Sequence, residues 1–198
     1  MEELHIVYID DRPESGLERY LDEEYSKTEY VTMYAEIIFA PELGYESLIR
    51  DPIVQTANII FIDSKLFENG NISVGKFSGE EFKIILKKFY PFIEVIVITQ
   101  NEPDAEMGTI HKYSSFSGNS ASEYYAANLP QHIDKAIENL KIYRKIAEKL
   151  QENSNWEKAL KEKIINSLNG VGTYDELTKS DVDNLIRTFK DLQEKTNG

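Results

Sequence analysis

The chain has 198 residues, a net charge of −13 and no cysteine, and its three histidines (His5, His111 and His132) show no paired spacing. A disulfide framework, a thiol site and a zinc site are therefore excluded as organising features. Residues 1–129 carry 10 Lys and Arg against 23 Asp and Glu, and residues 130–198 carry 12 against 12; neither half has the basic excess of a nucleic-acid reader, so no nucleic-acid partner is expected. A basic leader and an apolar run of membrane-spanning length are both missing from the sequence, which predicts a cytoplasmic protein with no membrane partner.

In chain order, residues 5–9 read as a buried strand ending on Asp10 and Asp11. Arg12, Pro13 and Glu14 suit a helix start, and Leu17, Tyr20 and Leu21 supply one apolar face. Residues 30–39 are β-rich and predict a second strand. A short helix is expected around Tyr45–Arg50, and Asp51–Pro52 is read as a break. Residues 58–63 form a continuous apolar run ending on Asp63, as in a strand buried on both faces. After a loop over residues 68–75, Ser78, Gly79, Glu80 and Glu81 open a helix whose face is Phe82, Ile85, Leu86 and Phe89, and Pro91 ends it. Residues 94–98 form another apolar strand, ending on Thr99. A polar connection at 100–105 precedes a short fifth strand around residues 109–113, and residues 114–119 read as a loop. Residues 130–151 give the longest helix, with Ile133, Ala136, Leu140, Tyr143, Ala147 and Leu150 on one stripe. Its first half is expected to lie on the sheet and its second half to be free to pair. A further helix is expected over 156–168, stopped by Asn169–Gly170. A last one carries Val182, Leu185, Ile186, Phe189 and Leu192, with Thr178 and Asp181 as its capping box. Strands alternating with helices predict a doubly wound, five-stranded parallel sheet followed by an α-helical extension.

The chemistry-bearing residues fall at the strands' carboxyl ends, where ligands sit in open α/β sheets. Asp10 and Asp11 at one strand end and Asp63 at a neighbouring one make a hard-oxygen site suited to Mg²⁺. Beside such a metal, one carboxylate can act as a nucleophile toward a phosphoryl group. The charge on the transferring oxygens then calls for a cation and a hydroxyl, roles that Lys112 and Thr99 fit. The local alternatives are helix capping by Asp10 or Asp11, turn formation at Asp63 or Thr99, and a structural ion pair for Lys112.

Asp10–Asp11, Asp63, Thr99 and Lys112, in that order on alternating strands and helices, resemble the receiver domain of bacterial two-component response regulators. The resemblance extends over about residues 4–150. It implies that Asp63 is the phosphoacceptor and that Asp10, Asp11, Asp63 and the backbone carbonyl of Lys65 hold Mg²⁺. Thr99 would be the hydroxyl contacting the phosphoryl group, and Lys112 the lysine pairing with it. A sensor histidine kinase or a small phosphodonor would supply the phosphoryl group. No enzymatic activity is implied beyond formation and hydrolysis of the aspartyl phosphate. Several features depart from the family. Only 13 positions separate Thr99 from Lys112, so the fourth helix is expected to be short or missing. Tyr113 follows the lysine where the family has proline, and Thr109 stands where an aromatic switch residue usually lies. The loop after Asp63 is longer than usual.

The organisation expected is a receiver-like domain over 1–129, its last helix continuing to about 151, and a helical extension over 152–198. Output would run through protein–protein contacts of the receiver face and the C-terminal helices, with a downstream protein partner and a homodimer as candidate assemblies. Two alternatives stand beside this reading. One is a pseudo-receiver that acts as an interaction or scaffold module and is never phosphorylated. The other is a small Mg²⁺-dependent phosphate-ester hydrolase, which the lack of a glycine-rich phosphate cradle argues against.

Overall fold

A computed structural model describes residues 1–66, 77–103, 108–153 and 158–168. Its centre is an all-parallel sheet in the order β2-β1-β3-β4-β5. The strands are β1 (Glu2–Asp10), β2 (Tyr30–Ile38), β3 (Ile59–Asp63), β4 (Glu94–Thr99) and β5 (Thr109–His111). This 2-1-3-4-5 order is the flavodoxin-like winding, in which sites form off the strands' carboxyl ends. Register lines those ends up: Ile9 pairs with Ile62, Asp63 with Ile98, and Thr99 with His111.

Alternation along the strands divides the core into two layers. Leu4, Ile6 and Tyr8 of β1 join Ile59, Phe61, Ile96, Ile98 and Ile110 on one face. That face is covered by α1 (Ser15–Arg19, continued by a π turn over Tyr20–Glu24), α5 (Ala121–Asn128) and α6 (Pro130–Glu152), through Leu17, Leu21, Tyr125, Ile133, Ile137 and Leu140. Val7, Ile9, Ile60, Ile62, Val95 and Val97 line the other face. There α2 (Tyr45–Arg50), α3 (Pro52–Thr56) and α4 (Gly79–Phe89) contribute Leu48, Val54, Phe82 and Leu86. β3 sits at the sheet centre and is buried along its whole length, which explains its unbroken apolar run.

The local signals account for most helix ends. Ser78 accepts from the Glu81 N–H while the Glu81 carboxylate accepts from the Ser78 N–H, a complete capping box for α4. Asp51–Pro52, expected to break the chain, instead starts α3: the Asp51 carboxylate caps the Ile53 N–H, and proline occupies the first turn, where no N–H is needed. The loop expected over 114–119 contains a 3₁₀ turn at Ser115–Ser117, and α5 follows it as a separate helix. Within the connection from β4 to β5, none of the described residues is helical. The long helix α6 is tied to the start of β4 by Glu94, whose carboxylate accepts from Tyr143 (2.9 Å), Asn139 (3.2 Å) and Lys87 (2.9 Å).

A final described helix, α7 (Lys158–Leu168), packs on α6. The second half of α6, expected to be free, is thus partly covered, with Ile142 and Ile146 left at the surface. The predicted loop over 68–75, Asn169–Gly170 and the helix through Val182–Leu192 lie outside the described residues. Among the described residues, no helix is long and apolar enough to cross a membrane.

Phe61 is fully buried at the sheet centre. Phe61→Ala is expected to lower the unfolding free energy by about 3–5 kcal/mol, read as a lower urea midpoint with an unchanged slope.

Candidate functional site

Parallel strands of unequal length end at one edge, and three of their terminal residues meet there. One carboxylate oxygen each from Asp10, Asp11 and Asp63 lie within 4.8 Å of one another. Asp10 and Asp63 are buried and Asp11 is partly exposed. Two buried carboxylates this close repel each other, and the arrangement is held by a cation. The Lys112 ammonium lies 2.7 Å from Asp10 Oδ2 and 2.7 Å from Asp63 Oδ1, and it too is buried. Burial alone would lower the Lys112 pKa; its hydrogen bonds and charge contacts with Asp10 and Asp63 outweigh that and leave it raised. Asp63 is shifted above the usual carboxylate range by burial and by the charge of Asp10, with Lys112 and the Lys65 N–H opposing.

The backbone completes the cradle. Asp63 Oδ2 accepts from the Lys65 N–H at 2.8 Å, and Asp10 Oδ1 accepts from the Arg12 N–H at 2.9 Å. The Tyr8 hydroxyl donates to Asp10 Oδ2 at 2.6 Å. Burial and the neighbouring Asp10 push this phenol far above its ordinary pKa, so it stays protonated and serves as a fixed donor. Behind the site α4 comes very close: a Cβ on Gly79 would lie 2.3 Å from the Asp63 carbonyl oxygen. The Gly79 N–H donates to the Ser64 carbonyl at 2.8 Å, and Ser64 Oγ donates to Glu80. Only glycine permits this approach.

Of the residues expected at the site, Asp10, Asp11, Asp63 and Lys112 come together. Lys65 meets Asp63 through its N–H. Thr99 is buried at the end of β4, and the alternation of Val95 and Val97 sets it on the opposite side of the sheet from Ile98. Its hydroxyl accepts the Asn101 N–H at 3.1 Å, and its carbonyl accepts the Lys112 N–H at 2.7 Å. Tyr8, Ser64 and Gly79 also belong to the site; the stretches Asp63–Leu66 and Gly79–Glu81 match the receiver resemblance, whereas Tyr8 is not singled out by the sequence. The period-two spacing of Tyr8 to Asp10 was the available signal.

Fold and site together define a receiver-like α/β domain with an acidic pocket at the carboxyl edge of its sheet. No family model and no curated protein matches the chain. Solved structures similar to it include bacterial response regulators. A two-component transcriptional regulator AraC from Clostridium phytofermentans ISDg is 15% identical with a TM-score of 0.39, covering 71% of this chain and 97% of that one. The isolated REC domain of RcsB from Salmonella enterica serovar Typhimurium, solved in the presence of phosphomimetic BeF₃⁻, is 14% identical with a TM-score of 0.40, covering 66% and 90%. RcsB from the same organism bound to promoter P1flhDC is 12% identical with a TM-score of 0.39, covering 89% and 95%.

Lys112→Met removes the cation from two buried carboxylates and is expected to destabilise the fold by about 3–5 kcal/mol at neutral pH. A carboxyl whose folded pKa is raised holds its proton more tightly in the folded state, so its ionisation costs stability as pH rises through that range. The deficit of the variant is therefore expected to shrink as pH falls and Asp63 protonates, which urea titrations at several pH values would follow.

Proposed function

We propose that the chain is a cytoplasmic response-regulator-like signalling protein in which Asp63 accepts a phosphoryl group in an Mg²⁺-dependent reaction. The carrying observation is the meeting of three strand-end carboxylates with Lys112 set between Asp10 and Asp63. The donor set fits Mg²⁺: hard oxygens, two of them buried, in a pocket small enough for carboxylates from two strands to share one ion. Asp10, Asp11 and Asp63 would hold it, with the Lys65 carbonyl as the fourth protein ligand implied by the resemblance. When bound, Mg²⁺ supplies positive charge to the phosphoryl oxygens.

The chain's own groups do the rest. An Asp63 carboxylate oxygen attacks phosphorus, while the bond from phosphorus to the donor's leaving atom breaks and that atom keeps the electron pair. With acetyl phosphate the leaving group is acetate; with a phosphohistidine of a sensor kinase it is the imidazole nitrogen. The Lys65 N–H holds one Asp63 oxygen in place, and Lys112 stands beside the other, where its charge offsets that of the incoming group. The Thr99 hydroxyl already accepts one hydrogen bond and has its own proton to donate. Attack of water on phosphorus later restores the carboxylate and releases inorganic phosphate. The added charge would re-pair Lys112 and shift the balance between two arrangements of the sheet edge, with output through protein contacts of the helices.

Incubation with Mg²⁺ and acetyl phosphate is expected to add one phosphoryl group to the intact wild-type mass and none to Asp63→Asn. An unmodified wild-type mass, under conditions that label an active receiver, would overturn the reading and leave a scaffold role for the same fold.

A further inference from the structure

Tyr113 follows Lys112 where the receiver family has proline. Its backbone therefore carries an N–H that proline lacks, and that N–H donates to the Tyr125 hydroxyl of α5 at 3.0 Å. The Tyr125 hydroxyl donates in turn to Glu14 Oε2 at 2.5 Å. The Glu14 N–H donates to the Tyr8 hydroxyl at 3.1 Å, and Tyr8 donates to Asp10 Oδ2 at 2.6 Å. Asp10 Oδ2 also receives the Lys112 ammonium at 2.7 Å. The path thus leaves the side chain of Lys112 and returns to the backbone of the next residue, closing a ring through β1, the start of α1 and α5.

Three features make the ring stiff. Tyr8 and Tyr125 are fully buried, so neither hydroxyl has water as an alternative partner. α1 and α5 touch at Gly16, where an added Cβ would lie 2.6 Å from the Ala121 Cβ, so Glu14 and Tyr125 are carried by helices that cannot slide freely. Tyr125 also packs against Tyr20 and Tyr124, at centroid distances of 6.1 and 5.3 Å, which fixes its ring and hence its hydroxyl.

We propose that Tyr8, Glu14 and Tyr125 are positioning residues of the acidic pocket, acting through the Asp10 carboxylate and the backbone after Lys112, so that α5 is mechanically part of the site. This rests on the pocket being the Mg²⁺-dependent phosphoacceptor site described above. Loss of a partner that orients a metal ligand typically costs about 10–100-fold in metal affinity.

The test uses the full chain, with Mg²⁺ alone as the probe and Tyr→Phe changes that keep the packed rings. Calorimetric Mg²⁺ titration is expected to show about tenfold weaker binding in Tyr8→Phe and a smaller loss in Tyr125→Phe. The double variant should lose less than the product of the two, because both cut one ring. Tyr124→Phe, whose hydroxyl donates to the His111 carbonyl outside the ring, should bind as wild type does. A metal-free readout accompanies these: amide exchange at Arg12, held by Asp10 Oδ1, should quicken in Tyr8→Phe and Tyr125→Phe, and exchange at Tyr113 should quicken in Tyr125→Phe. Unchanged Arg12 exchange in both variants, or equal Mg²⁺ losses in Tyr124→Phe, would overturn the proposal. Failure of the wild type to bind Mg²⁺ would instead overturn the phosphoacceptor reading, with the ring then judged by Arg12 and Tyr113 exchange.

Discussion

Two buried carboxylates from adjacent strands can coexist in this fold because one ammonium lies between them. Lys112 reaches Asp10 and Asp63 from the end of β5, the shortest strand and one of the sheet's two edge strands. Desolvating three charges is expensive, and the pair is worth keeping only if its geometry is good and the remaining oxygens are satisfied. They are: Arg12 and Lys65 offer backbone N–H groups, and Tyr8 a hydroxyl. β5 therefore has a task beyond extending the sheet, since it delivers the charge that lets the centre of the sheet end in acids. Under the proposed phosphoacceptor role, a group that adds charge at Asp63 would have to rearrange the one cation both acids share.

The sheet was legible from the amino acids because its central strands are apolar on both faces. β3 and β4 read as unbroken runs, and such runs have few alternatives in a chain of alternating element types. Asp10, Asp11 and Asp63 followed from their places at the ends of these runs. Their convergence did not, since it depends on register: Asp63 stands level with Ile98, and Asp10 one residue beyond the Ile9–Ile62 pair. The meeting of Lys112 with both acids likewise depends on the reach of one side chain.

Local misreadings have local causes. Asp51–Pro52 carries two helix-starting residues that serve equally as turn formers, and the choice between them is made by Val54 packing into the core. α5 lacks a clean apolar stripe and was missed, although Ser120 and Glu123 form a capping box ahead of it. Tyr8 sits inside a strand that reads as core, and nothing in its type separates a packed phenol from one holding a carboxylate. Thr99 was legible as a strand end, while the direction of its hydroxyl toward Asn101 depends on the turn that follows.

The close approach of Gly79 to Asp63 ties a neck in the chain. The backbone leaves the sheet at Asp63 and returns at Gly79, pinned by the Ser64 carbonyl and by Glu80 on Ser64. In sequence, residues 67–76 fall between the two sides of that neck. Extra residues there raise only the modest entropy of closing a longer loop. By that entropy alone, length in that stretch is cheap to change, whereas position 79 admits no side chain at all.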